Sequence, residues 1–229
     1  MKRELLAEIV AIQESGGSTV LARSLMGDYQ YLIGGGESNA RDDIEPKLLD
    51  VARSVLRRNG VRTVDLGEQR YLLETLSPPH RLLVIGAVHI AQALIPMARI
   101  AGFDVQLIDP RAAFATPGRF PGIDIVNRWP QEIMDELPLG ARTAVVTLSH
   151  DAKIDEPALT AALNSDAFYI GALGSKKNHA KRLERLAALG FDDDTLARIA
   201  GPIGLDLGGR SPAEIAISIL AQIVQARYR

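Results

Sequence analysis

One stretch limits the possible folds more than any other: Arg81-Leu-Leu-Val-Ile-Gly-Ala-Val-His-Ile-Ala-Gln-Ala-Leu94. Leu82 to Ile85 are four consecutive apolar residues, the signature of a strand buried on both faces. They meet Gly86 and then a helical spacing of apolar residues at Ile90, Ala91, Leu94, Ile95 and Ala98. Strand, glycine turn and helix in that order open a nucleotide-binding βαβ unit. Phe103 to Asp109 completes the unit as a second strand, ending on an acid 23 residues after Gly86. Folds of this kind hold ribose hydroxyls with a carboxylate about 20 residues past the turn. The turn itself departs from G-x-G-x-x-G, because Val88 stands at the second glycine, where bare backbone would approach a pyrophosphate.

The rest of the chain predicts two domains. Residues 1–15 suit an amphipathic helix with Leu5, Leu6, Ile9, Val10 and Ile12 on one side, and strands follow at 18–25 and 29–33. Gly34 to Asn39 reads as a loop into a helix at roughly 44–58, with further strands at 61–66 and 70–76. Ser77-Pro78-Pro79 is the linker, because two prolines block a helix and disfavour a central strand. The expected domains are therefore a small α+β domain over 1–77 and a Rossmann-like domain over 78–229. In the second, strands at 123–126, 143–148 and 167–171 alternate with helices. Asp155 is the expected cap of a helix carrying Pro157 in its first turn. Helices are also predicted over 177–189 and 195–200, and Ser211-Pro-Ala-Glu214 has the capping-box spacing that opens a last one. The fold class is α/β, a mostly parallel sheet with helices on both faces.

Composition excludes several functions. With 26 basic and 28 acidic residues the net charge is −2, which argues against a nucleic-acid or membrane surface acting through bulk electrostatics. The absence of cysteine removes disulfides, thiolate metal sites and cysteine nucleophiles. The four histidines show no H-x-x-x-H spacing, so no histidine metal site is expected. No apolar run approaches the roughly 18 residues of a membrane span. An acid already stands at Glu4, unlike a secretory signal peptide, and the expected location is cytoplasmic.

In an open α/β sheet, ligands bind beyond the carboxyl ends of the strands. That rule nominates Gly86 and Ala87, then Asp109 and Arg111, then Ser149, His150 and Asp151, and then 171–177. Gly171, Gly174 and Ser175 lead into a helix start, which offers N–H groups and the positive dipole end to an anion. Lys176, Lys177, His179 and Arg182 are candidate cofactor-binding residues there, and Lys181 and Arg185 add positive charge; a solvated basic helix face is the plainer alternative. His150 and Asp151 are candidates for acid–base chemistry, or for capping the next turn. His179 lies within reach of the helix start, whereas His89 is expected to pack against the sheet. Asp206, amid Gly204, Gly208 and Gly209, marks tight turning or close backbone approach.

Five segments in one order resemble the xanthine dehydrogenase accessory factors, the XdhC/CoxI family. They are 82–94, Ile-Asp-Pro-Arg at 108–111, Ser-His-Asp at 149–151, Tyr-Ile-Gly-Ala-Leu-Gly-Ser-Lys-Lys-Asn-His-Ala-Lys-Arg-Leu at 169–183, and Pro-Ile-Gly-Leu-Asp-Leu-Gly at 202–208. The resemblance implies a Rossmann domain beside a smaller N-terminal one. It also implies binding of the molybdenum cofactor (molybdopterin) and help in its sulfuration and insertion into a molybdenum hydroxylase, such as xanthine or CO dehydrogenase. On that reading Gly174, Ser175 and Lys176 cradle phosphate, Asp109 and Arg111 meet a sugar or pterin edge, and His150 and Asp151 face the bound group. Expected partners are the client hydroxylase and a sulfur-donor protein, with a homodimer left open. Two departures stand out. Val88 replaces the family's second turn glycine, and Gly35-Gly36-Glu37 aligns with a family segment without its cysteine, so sulfur cannot be carried on a cysteine of this sequence. Two alternatives remain: an NAD(P)-dependent oxidoreductase on the same fold, and a client-docking module without a ligand.

Overall fold

A computed structural model describes residues 3–34, 44–58 and 60–228. The Gly35-Gly36-Glu37 segment lies outside them. The chain divides between Pro78 and Pro79 into two compact units.

The first unit holds helices α1 (Arg3–Glu14) and α2 (Pro46–Arg58) and strands β1 (Thr19–Ser24), β2 (Gln30–Gly34), β3 (Val61–Leu66) and β4 (Gln69–Leu76). The strands form an antiparallel sheet in the order β2-β1-β4-β3. Successive residues of β1 point to opposite faces. Val20 and Ala22 pack with Leu48, Ala52 and Val55 of α2, while Leu21 packs with Ile9 of α1. The apolar stripe expected on the first helix is only partly used, since Leu6 and Val10 are exposed.

The second unit carries β5 (His80–Ile85), α3 (His89–Ile100), β6 (Phe103–Ile108), β7 (Asp124–Val126) and the short α4 (Pro130–Ile133). It continues with β8 (Thr143–Thr147), α5 (Ala152–Leu163), β9 (Tyr169–Ala172), α6 (Lys176–Ala187), α7 (Asp193–Leu196), β10 (Ile199–Ala200) and α8 (Pro212–Arg227). Six parallel strands lie in the order β10-β9-β8-β5-β6-β7. This is the doubly wound arrangement expected from the sequence. The chain runs outward from β5 to β7, then returns to the other side of β5 as β8. The switch point therefore lies between the tips of β5 and β8.

Both faces are covered, which is why β5 and β8 are apolar throughout rather than alternating. Leu82, Val84, Ala144 and Val146 pack with Leu94 and Ile95 of α3 and Ile219 and Ile223 of α8. Leu83, Ile85 and Val145 face Ile154, Ala158 and Leu159 of α5. Each fully buried Val, Leu or Ile among them contributes about 1.5–3 kcal/mol through burial, and each alanine less.

Four local expectations are corrected. The cap of α5 is Asp151, whose side chain accepts from the Lys153 N–H. Asp155 instead turns inward from the helix and is buried, and Pro157 sits inside the helix rather than in its first turn. The helix predicted over 195–200 ends at Leu196, because Ile199 and Ala200 pair with Ile170 and Gly171 as a sixth strand. His89 is exposed, since it lies on the outer side of the first turn of α3, whose buried residues are Ala91, Leu94, Ile95 and Ala98.

Candidate functional site

The tips of β5 and β8 approach closely. Leu148 N donates to Ile85 O at 2.8 Å, and Gly86 adopts φ +109°. A Cβ on Gly86 would lie 2.9 Å from Ser149 N, so glycine is dictated by both conformation and space.

The N–H groups of this turn are committed within the protein. Gly86 N donates to Ile108 O at 2.9 Å, Ala87 N to Asp109 Oδ2 at 2.7 Å, and Val88 N to Gly86 O at 3.0 Å. Val88 has an ordinary negative φ and its side chain packs on the core. The bond to Ala87 also decides the role of Asp109. That carboxylate is fully buried, and its Oδ1 accepts from the backbone N and the Nε of Arg111, each at 2.9 Å. Arg111 Nη2 reaches Oδ2 at 2.7 Å. Burial alone would raise the Asp109 carboxyl; the Arg111 guanidinium and the Ala87 and Arg111 N–H groups outweigh it and hold it below the usual carboxylate range. The expectation that Asp109 meets a sugar edge is thus corrected. It locks the β5 turn to the start of the loop after β6, and a ribose diol finds no free oxygen there. Arg111 stays partly exposed, above the Phe114 ring at 4.9 Å, and within electrostatic range of Asp151 and Asp155.

Beyond β8, Ser149 and Asp155 form a buried pair. Ser149 donates to Asp155 Oδ1 from Oγ at 2.6 Å and from N at 3.2 Å. Burial pushes the Asp155 carboxyl up, opposed only in part by Ser149, Arg182 and His150. His150 follows at φ +62°, the one non-glycine residue with positive φ among the described residues. Strain of this kind concentrates at working sites. His150 and Asp151 are both exposed.

Beyond β9, Ser175 caps α6 by accepting from Asn178 N at 3.2 Å. Ser175, Lys176 and Lys177 are exposed. The expected cradle of Gly174, Ser175 and Lys176 is not enclosed by other side chains. Instead, a cavity of about 230 Å³ opens between the first turns of α5 and α6, lined by His150, Asp155, Asn178, Lys181, Arg182 and Arg185, among others. Arg182 is only 6% exposed; Nη2 donates to Leu173 O at 2.8 Å and Nη1 reaches His179 Nδ1 at 3.4 Å. Sequence reading nominates Arg182 and His150 for binding and counts Lys181 and Arg185 only as added charge. It misses Asp155, which it reads as a cap. The available signal is position: residues 178, 181, 182 and 185 share one face of α6.

The remaining candidates are placed by packing. Gly171 lies within β9, where a Cβ would come within 2.5 Å of the Ile203 side chain. The His179 ring covers Gly201, and burial lowers its proton affinity, aided by Arg182. Asp206 is exposed in the loop between β10 and α8. These three do not line the cavity. A second, larger cavity of about 660 Å³ lies on the α4 side of α5, with Met134, Leu137, Leu139, Pro157 and Leu189 in its lining. Among the described residues, no three histidines or carboxylates come together as a metal would need. No helix among them is long and apolar enough to cross a membrane.

Comparison with known proteins places these features in context. A family model described as the XdhC Rossmann domain matches residues 82–223. A Bacillus subtilis (strain 168) protein named as a probable xanthine dehydrogenase subunit is 30% identical over 158 residues, covering 69% of this chain and 46% of that protein. The molybdenum cofactor insertion chaperone PaoD of Escherichia coli (strain K12) is 30% identical over 150 residues, covering 66% of this chain and 41% of its own length. The chain thus spans less than half the length of these curated relatives. A crystal structure described as a xanthine dehydrogenase from Bacillus halodurans superposes with a TM-score of 0.75 at 24% identity, covering 98% of this chain and 66% of that one; it shows a shared fold.

Proposed function

This chain belongs to the XdhC Rossmann-domain family, and from that premise we propose that it is a maturation factor for a molybdenum hydroxylase. It binds the molybdenum cofactor, as cargo, at the strand tips around β8 and β9 and assists its insertion. The observation that carries this reading is the 30% identity, across two thirds of the chain, to a protein named as a molybdenum cofactor insertion chaperone.

The residues present suit such cargo in one respect. The cavity between α5 and α6 combines Lys181 and Arg182 with two helix starts, a setting for the phosphate that molybdopterin carries, while Arg185 is paired with Glu156. With no cysteine in the sequence and no cluster of three candidate ligands among the described residues, the chain would hold the cofactor by its organic part. Any sulfur would come from another protein. The client hydroxylase, a sulfur donor and a homodimer are parts of this proposal.

The nicotinamide alternative loses its support at the β5 turn. Asp109 is taken by Arg111 and Ala87, and the turn's N–H groups are bonded internally. Native mass spectrometry of the protein, co-produced with a cofactor-synthesising pathway, tests the reading. A retained molybdopterin, transferable to an apo molybdenum hydroxylase with recovery of its activity, is the expected result. Failure to retain or to transfer it refutes the proposal.

A further inference from the structure

The cavity between α5 and α6 shows a charge balance that the family reading does not require. Among the groups lining it, Glu156 is matched by Arg185, whose Nε donates to Oε1 at 2.6 Å. Asp155 is turned toward Ser149 and keeps one oxygen, Oδ2, outside those two bonds. Arg182 is held by a backbone carbonyl and a histidine ring, neither of which carries a full negative charge. Lys181 has no ion pair among the described residues. A guanidinium 6% exposed with neutral partners on the bonds it makes is costly to bury. Two helices of 12 residues each begin at this cavity, and Ala152 and Asn178, from their first turns, form part of its wall. The positive ends of both dipoles, a Lys181 outside any ion pair and an Arg182 that makes no direct bond to a carboxylate therefore face one cavity, with Asp155 and Glu156 acting on Arg182 only through space. At about 230 Å³ it holds the equivalent of roughly eight waters. That is ample for a phosphate group and too small for a whole metallated pterin.

We infer that this cavity is a phosphomonoester subsite, in which Lys181 and Arg182 grip the terminal phosphate of a ligand whose flat ring lies outside it, at the tips of β8 and β9. The subsite names a chemical class for the ligand and rests on the proposal that the strand tips bind cargo. Asn178 donates from its side-chain amide, and His150, held at φ +62°, closes the rim beside Asp155. Lys176 and Lys177, exposed on the outer turn, take no part.

A fluorescent pair of probes tests this: a hydroxymethylpterin and its phosphate ester, titrated into the full chain, with inorganic phosphate as competitor. The ester should bind at least tenfold more tightly than the alcohol, and inorganic phosphate should displace it. Lys181→Glu, on an exposed side chain, should remove that advantage while leaving the affinity for the alcohol unchanged. Lys176→Glu, with the same change in net charge, should leave the ester's advantage intact. Equal binding of ester and alcohol, or equal losses in the two charge reversals, overturns the subsite while leaving cargo binding at the tips standing. Inorganic phosphate bound in a Lys181-dependent manner, with neither pterin probe binding, supports the subsite and overturns the pterin reading.

Discussion

Gly86→Ala tests the junction on which the site is built. Two costs follow from the geometry of this turn. An alanine at φ +109° sits in the left-handed region, for about 1–2 kcal/mol. Its Cβ would also meet Ser149 N at 2.9 Å and Cα and Cβ at 3.1 Å, against ordinary contacts of 3.4–4 Å. Those neighbours are mostly backbone and cannot swing away as a flexible side chain does. Relief would part the β5 and β8 tips and stretch the Leu148 N to Ile85 O bond, adding about 1–3 kcal/mol. The expected loss is therefore about 3 kcal/mol, or a fall of roughly 6–12 °C in melting temperature for a unit of this size. Gly190→Ala is the matched control. Its φ is +100° with nothing within 4 Å of the added Cβ, so only the conformational cost of about 1–2 kcal/mol applies. Urea unfolding followed by fluorescence of Trp129, the single tryptophan, reports the second unit specifically. If both variants lose stability equally, within about 0.5 kcal/mol, the contact with Ser149 is not what fixes glycine there.

Three further outcomes are expected. Asp109→Asn breaks a fully buried carboxylate away from Arg111 and should cost about 2–4 kcal/mol, less than a wholly enclosed pair because Arg111 is about a third exposed. The depressed Asp109 carboxyl stabilises the fold above its unfolded value near pH 4, and this contribution disappears as pH falls through the lower folded value, so the variant's stability should depend less on acid, as read by urea midpoints down to pH 3. Asp155 carries the opposite sign: its raised carboxyl makes the parent lose stability as pH rises from about 4 through the folded value, a slope that Asp155→Asn should remove in the same assay over pH 4–8. His150→Gly relieves a left-handed residue and should gain about 0.5–1 kcal/mol in thermal unfolding, while weakening retention of the phosphate-bearing pterin; a loss of stability would show that His150 is held by contacts rather than strained.

The sequence by itself determined the parallel sheet, the glycine at its first turn and most helix boundaries, because these depend on local signals. Leu82 to Ile85 can only be a strand buried on both faces, Gly86 marks the turn, and Ser211 with Glu214 forms the capping box that their spacing announces. The five-segment resemblance carried the family in the same way, by order and identity along the chain. Which of the nominated residues could meet a ligand was decided only in three dimensions. Asp109 has the sequence position of a ribose-binding acid, yet the Arg111 two residues away folds back and takes its oxygens. Asp155 has the composition of a cap, yet α5 starts one turn earlier and carries it inward to Ser149. The basic run after Ser175 reads as one charged surface, but helical periodicity turns Lys176 and Lys177 outward and Arg182 into the cavity. A charge's availability depends on its partners across strand tips, and those partners meet only once the sheet has brought distant loops together.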